Sequence, residues 1–215
     1  MAGLKLFIGN KNYSSWSMRP WMALRGNDIP FEETFIPLYT GAADKQRILD
    51  VSPAGKVPVL VDGDITVWDS LAIIEYLAEK FPDKKVWPAD RAARARARAI
   101  AAEMHSGFAA LRNECGMNLH RPVGAVALSE EARDNVARVK EIWTDCLGRY
   151  GGPFLFGGFG GVDAMYAPVV HRFRTYAIDV TPPVRQYMEA MQALPAFQQW
   201  TREGLAETII IEKFE

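Results

Sequence analysis

Three hydroxyls stand within four positions at Ser14, Ser15 and Ser17, inside the segment that runs from Asn12 to Trp21. A short apolar stretch, Leu4 to Ile8, precedes them, and a helix-like pattern through Leu24 and Arg25 follows. This places the serines in a strand-to-helix turn. The unpaired N–H groups and positive end of a helix make such a turn a natural anion site. Each serine could equally serve only as a helix cap. A second chemical constellation is Trp68-Asp69-Ser70, at another helix start. There a carboxylate could meet a ligand ammonium, and a hydroxyl with helix N–H groups could meet a ligand carboxylate, or Asp69 could simply cap. The third is Gly55-Lys56-Val57-Pro58-Val59-Leu60. Proline within a strand run removes a ladder donor. A cis Val57–Pro58 bond would turn the main chain of Val57 outward toward a peptide-like ligand. Taken together, the three fit an extended, zwitterionic peptide lying across strand edges, with a thiol at the serine turn.

The elements that must position these groups alternate over the first eighty residues. Leu4–Ile8 reads as a strand. A helix begins at Ser17 or Met18, so that Pro20 falls in the first turn, where its missing N–H breaks no helical bond. Gly26 is expected to end that helix in a left-handed cap. Phe31–Ile36 reads as a strand and Ala42–Val51 as a short helix. Val57–Val61 and Ile65–Val67 flank Asp62-Gly63-Asp64, a hairpin signal. Asp69 then caps a helix with apolar residues at 71, 73, 74, 77, 78 and 81. The order βαβ-αββα makes a compact α/β layer structure over residues 1–81. Residues 82–90, with Pro82 and Pro88, read as a linker. From 91 to 215 the pattern is all-helical: Arg91–Leu119, Ser129–Tyr150, then Val162–Tyr176, Pro183–Ala193 and Pro195–Leu205 after the Gly-rich break 151–161, with a tail of uncertain form over Thr208–Glu215.

Composition narrows the class. The chain has 215 residues, 49% hydrophobic and 24% charged, with a net charge of −1. That is ordinary globular composition with no overall pull toward nucleic acid or anionic membrane. The N-terminus does not read as a secretory signal, and no apolar run has spanning length. Cys115 and Cys146 lack metal or redox spacing and read as reduced thiols, which suits the cytoplasm. The arginines at 91, 94, 96 and 98 read as a solvated helix face or dimer-contact stripe.

Tyr13-Ser14-Ser15-Trp16-Ser17-Met18-Arg19, Gly55-Lys56-Val57-Pro58-Val59-Leu60 and Asp69-Ser70-Leu71-Ala72-Ile73-Ile74-Glu75-Tyr76-Leu77 resemble the cytosolic glutathione transferases, and within them the serine-type, zeta-like members. The zeta turn reads Ser-Ser-Cys followed by Ser-Trp-Arg. Here Trp16 takes the cysteine position and Met18 the tryptophan position. The resemblance implies a thioredoxin-like α/β N-terminal domain and an all-α C-terminal domain, glutathione as co-substrate, no metal, and a homodimer. By the same match, Ser14, or Ser15 or Ser17 if the turn is shifted, steadies the glutathione thiolate. Val57 and Pro58 present the main chain to the cysteinyl unit, and Asp69 and Ser70 hold the γ-glutamyl end. Lys56 or Lys45 would meet the glycyl carboxylate. The electrophile pocket would draw on Trp16, Met18, His105, Phe108 and Arg112. Gly160-Gly161-Val162-Asp163 resembles the family's helix-capping segment with the hydroxyl residue replaced by glycine. The expected activity is transfer of glutathione to a small electrophile with apolar character. The rivals are glutathione-dependent cis–trans isomerisation of the maleylacetoacetate type and a non-catalytic glutathione-binding scaffold.

Overall fold

A computed structural model of the protein describes residues 3–215. Four strands, β1 (Lys5–Ile8), β2 (Glu32–Phe35), β3 (Val59–Asp62) and β4 (Ile65–Trp68), form one sheet in the order β2-β1-β3-β4. β1 runs parallel to β2 and antiparallel to β3, and β4 pairs antiparallel with β3. Helices α1 (Ser15–Gly26), α2 (Ala42–Val51) and α3 (Ser70–Lys80) accompany the sheet. This is the thioredoxin-like arrangement expected from the βαβ-αββα order. Six helices follow: α4 (Arg91–Ser106), α5 (Ala109–Glu114), α6 (Glu130–Tyr150), α7 (Gly161–Thr175), α8 (Pro182–Ala193) and α9 (Pro195–Leu205). No described helix is long and apolar enough to cross a membrane.

The chain departs from the sequence expectations at α1. The helix starts at Ser15, two to three residues early, because Ser14 is its N-cap and accepts a hydrogen bond from the Ser17 N–H. Pro20 is therefore the sixth helical residue, beyond the first turn, and the Trp16 carbonyl lacks its usual helical donor. Gly26 is the last helical residue and not a left-handed cap; the left-handed residue is Asp28, at φ 52°. Glycine is needed at 26 for space, since a Cβ there would lie 2.2 Å from the Phe159 ring. The stretch from Arg91 is also not one helix. Gly107 and a left-handed Phe108 (φ 57°) separate α4 from α5. A short 3₁₀ turn, Pro82–Lys84, occupies part of the segment expected to link the two halves.

One hydrophobic core is continuous through both halves. Leu6 and Ile8 of β1 and Trp21, Met22 and Leu24 of α1 join Met165, Val169, Val170 and Phe173 of α7, with Trp143 of α6 behind them. α7 runs through the middle of the molecule, buried on every face from Gly161 to Phe173. Its start is held by Asp163. The carboxylate accepts from the Gly160 N–H (2.9 Å) and the Leu155 N–H (3.1 Å), so the acid serves the cap without a hydroxyl partner. Burial pushes the Asp163 carboxyl up to about 7. Three of the four arginines of the run, on a largely solvated face, also tie elements together. Arg94 donates to the Pro88 and Ala89 carbonyls, Arg96 pairs with Asp145, and Arg98 forms a two-bond pair with Glu75.

Candidate functional site

The serine turn separates its three hydroxyls. Ser14 sits at the mouth of α1 and lines a cleft of about 1090 Å³. Ser17, one turn on, is fully buried; its Oγ lies 2.8 Å from Ser14 Oγ and accepts the Gly9 N–H at 3.1 Å. Ser15, expected alongside Ser14 as a catalytic group, points away from the cleft. Its Oγ accepts from Arg172 Nη2 of α7 at 3.3 Å. Successive residues lie about 100° apart around a helix axis, so the cap Ser14 and the first helical residue, Ser15, point to different faces.

The facing wall is built by the turn before β3 and the start of α3. The Val57–Pro58 bond is cis. Among the described residues, neither main-chain group of Val57 has a protein partner. Lys45 and Lys56 also line the cleft. Asp69 caps α3, its Oδ1 accepting from the Leu71 (2.9 Å) and Ala72 (3.3 Å) N–H groups. Its main chain stands at φ 77°, ψ 133°, a conformation that costs a non-glycine residue about 1–3 kcal/mol. Beside it, the Ser70 hydroxyl is buried, lines the cleft and has no hydrogen-bond partner. A strained acid next to an orphaned hydroxyl is what a folded chain retains for a ligand, since a buried polar group without a partner costs about 1–3 kcal/mol.

The helical half contributes His105, whose Nε2 lies 3.2 Å from Asp69 Oδ2 across the cleft wall. His105 meets the Trp16 ring edge-on at 5.3 Å. Trp16 is the exposed aromatic of the turn and in turn covers cations. Arg19 lies 4.1 Å and Arg112 5.3 Å from its ring centroid. Arg19 is 1% exposed, with Nε and Nη1 unpartnered. Burial and the neighbouring Arg172 and Arg112 charges bring it down to about 9, and burial brings Arg172 down to about 10. Arg172 also donates to the Arg112 and Cys115 carbonyls, fastening α5 to the serine turn.

Three of the expected pocket residues lie elsewhere. Met18 is fully buried on the core face of α1. Phe108 packs into the core at the α4–α5 break. Arg112 stands behind Trp16 and donates to the His105 carbonyl at 3.3 Å. Ser14, Trp16, Lys56, Val57, Pro58, Asp69, Ser70 and His105 share the cleft. Both cysteines are buried, and burial pushes both thiols up.

The role of the tail has no local signature in the sequence. Phe214 lines the cleft and lies 5.7 Å from both Tyr13 and Tyr39. Tyr13 OH donates to Glu215 Oε1 at 2.5 Å and accepts from the Ile211 N–H at 3.3 Å. The turn is also clamped by α9 and the residues just after it. Glu207 accepts from the Lys11 and Asn12 N–H groups, and Trp200 Nε1 donates to the Lys11 carbonyl. Gly204 permits that approach, since a Cβ there would lie 3.2 Å from Asn12 N. Lys11 is 6% exposed and pairs with Glu33 and Glu203. The signal was a Glu203-Gly204-x-x-Glu207 spacing at a helix end, which is legible only once α9 is known to meet the turn.

Known proteins agree with this layout. The family model described as "Glutathione S-transferase, N-terminal domain" matches residues 13–80, and "Glutathione S-transferase, C-terminal domain" matches 91–203. A probable maleylacetoacetate isomerase of Caenorhabditis elegans is 30% identical over 85% of this chain and 86% of its own length. Glutathione S-transferase Z2 of Arabidopsis thaliana is 27% identical over 96% of this chain and 94% of its own. A glutathione transferase homolog from Burkholderia gl BGR1, crystallised with bound glutathione, superimposes with a TM-score of 0.73 at 26% identity, covering 96% of this chain and 100% of that one.

Proposed function

The chain belongs to the glutathione S-transferase family of enzymes, and on that premise we propose that it binds glutathione in the cleft and holds its sulfur as a thiolate for attack on a small electrophile. Residues 1–81 bind the tripeptide, and residues 91–215 supply the far wall of the electrophile pocket. The γ-glutamyl ammonium meets Asp69, and its carboxylate meets the Ser70 hydroxyl and the N-terminus of α3. The cysteinyl main chain pairs with Val57. The glycyl carboxylate lies toward Lys45 and Lys56. Trp16 and His105 face the second substrate. The enzyme acts in the cytoplasm as a homodimer.

The observation that carries this reading is Ser14: a cleft-facing hydroxyl at the mouth of α1, with its sister serines turned inward. A free thiol with a pKa near 8.5 is only a few per cent ionised at pH 7. Lowering it by about two units requires about 2.7 kcal/mol of preference for the anion. A hydrogen bond to a charged group contributes about 1.5–3 kcal/mol. A helix N-terminus adds up to about 2 kcal/mol in partly buried geometry. One hydroxyl and the α1 terminus therefore suffice, and the proton leaves to water without a general base. The test is titration of the bound thiol by its ultraviolet thiolate absorbance. Wild type should ionise about two units below free glutathione, and Ser14→Ala should recover about one to two of those units with affinity nearly unchanged. A thiol that titrates alike in both proteins refutes Ser14 as donor, and calorimetry without any glutathione binding leaves the scaffold reading standing.

A second reading, glutathione-dependent isomerisation, is supported by the isomerase relative and by the cations under Trp16. Arg19, Arg112 and Arg172 would favour an anionic second substrate. Turnover of maleylacetoacetate against a panel of neutral aryl halides separates the two readings.

A further inference from the structure

We infer that Ser17 is a positioning residue that aims the Ser14 proton into the cleft; this rests on the thiolate reading above and assigns the second hydroxyl behind it.

A serine hydroxyl has one proton to donate and two lone pairs to accept with. Ser14 Oγ accepts the Ser17 N–H at 3.3 Å and lies 2.8 Å from Ser17 Oγ. Ser17 Oγ accepts the Gly9 N–H at 3.1 Å, from the end of β1. Across the 2.8 Å contact one hydroxyl must donate and the other accept. If Ser14 donates, its only proton is spent inside the protein. Ser17, which is 0% exposed, then holds a proton with no acceptor. If Ser17 donates, both lone pairs of Ser14 are filled, by the N–H and the O–H of the same residue. The only capacity left on Ser14 is its own proton, and the only open direction is the cleft. A relay then runs from the Gly9 N–H through Ser17 and Ser14 to the sulfur, each bond polarising the next.

The arrangement also decides what Ser14 cannot do. With both lone pairs occupied it accepts nothing from the ligand and is neither a base nor a nucleophile. In the common capping box the side chain three residues into the helix reaches back to the main chain of the cap. Here that side chain reaches the hydroxyl of the cap instead, and so controls its direction.

The experiment is a double-mutant cycle read by the apparent pKa of the bound thiol, from ultraviolet titration and from the pH profile of kcat/KM. Ser17→Ala should raise that pKa by about half to one pH unit, with glutathione affinity changed less than about twofold. Ser17→Thr, which keeps the hydroxyl, should restore the wild-type value. On a Ser14→Ala background, Ser17→Ala should add nothing, because Ser17 acts through Ser14. Should Ser17→Ala not fold, Ser17→Cys retains the volume with only a weak donor, and the kcat/KM profile should show the same rise. If Ser14→Ala shifts the thiol but Ser17→Ala and Ser17→Cys do not, or if the two effects add, the inference fails while the thiolate reading stands. If Ser14→Ala itself leaves the thiol unmoved, both fall.

Discussion

Replacing Asp69 with Asn separates the two duties of that residue. As the cap of α3, Asp69 uses Oδ1 for the Leu71 and Ala72 N–H groups, at 2.9 and 3.3 Å. Asn keeps that oxygen, ranks with Asp as a cap, and tolerates positive φ comparably. Folding stability should therefore change by no more than about 0.5 kcal/mol. The lost charge is the one proposed to receive the γ-glutamyl ammonium. A hydrogen bond to a charged group contributes about 1.5–3 kcal/mol. The Asp69 side chain is 41% exposed, so solvent screening favours the lower end, about 1.5–2 kcal/mol. That predicts glutathione affinity reduced about 10- to 30-fold. Calorimetric titration with glutathione, and with an analogue lacking only the α-amino group, closes the cycle. Wild type should lose the same factor toward the analogue, and the variant should bind both ligands alike. Asp69→Gly should relieve the backbone at φ 77° and fold at least as stably, yet bind as weakly as the Asn variant. If the Asn variant weakens both ligands equally, the carboxylate does not meet the ammonium and the assignment of this end of the cleft is wrong.

His171 makes a second prediction, on stability against pH. Burial first, with the Arg174 and Arg172 charges behind it, holds its imidazole down at about 3, so it stays neutral in the fold while the unfolded chain protonates near 6.5. Its contribution is complete above 6.5 and is lost as pH falls, by about 1.4 kcal/mol per unit. Asp163 runs the other way: raised to about 7, it stabilises most below 3.8 and loses that as pH rises toward 7. Between about 4 and 6.5 the two slopes oppose. Urea unfolding at pH 6.5 and 4.5 should show His171→Phe gaining about 2.3 kcal/mol relative to wild type on acidification; parallel changes would refute the neutral His171. Gly26→Ala should destabilise by about 1–3 kcal/mol, because a Cβ would meet the Phe159 ring at 2.2 Å. A thermal midpoint equal to wild type would mean that the 154–159 loop yields freely.

Much of the α/β half was legible because its signals are local. Hydrophobic periodicity, the Asp62-Gly63-Asp64 turn and the cap Asp69 each set an element from a few adjacent residues, as the cap Ser129 does for α6 in the helical half. The same locality explains why the start of α1 differs from the sequence expectation. Ser14, Ser15 and Ser17 are all good cap residues, and composition does not rank them; the Gly9 N–H and Arg172 do. The break at Gly107 and Phe108 leaves no mark in the sequence because the apolar pattern continues across it.

The sequence by itself determined which chemical groups exist and which of them share a turn: a hydroxyl at a helix mouth, an acid and a hydroxyl at another, and a proline that frees a main-chain pair. Only the tertiary structure decided which serine faces the cleft, that Met18 and Phe108 belong to the core, and that Phe214 and Glu207, about 200 residues from the turn they steady, complete its surroundings. The physical reason is that direction is a property of partners. A side chain's choice between cleft and core is made by contacts with α7, α9 and the tail, and these arise only when segments remote in sequence are brought together by burial of a shared core.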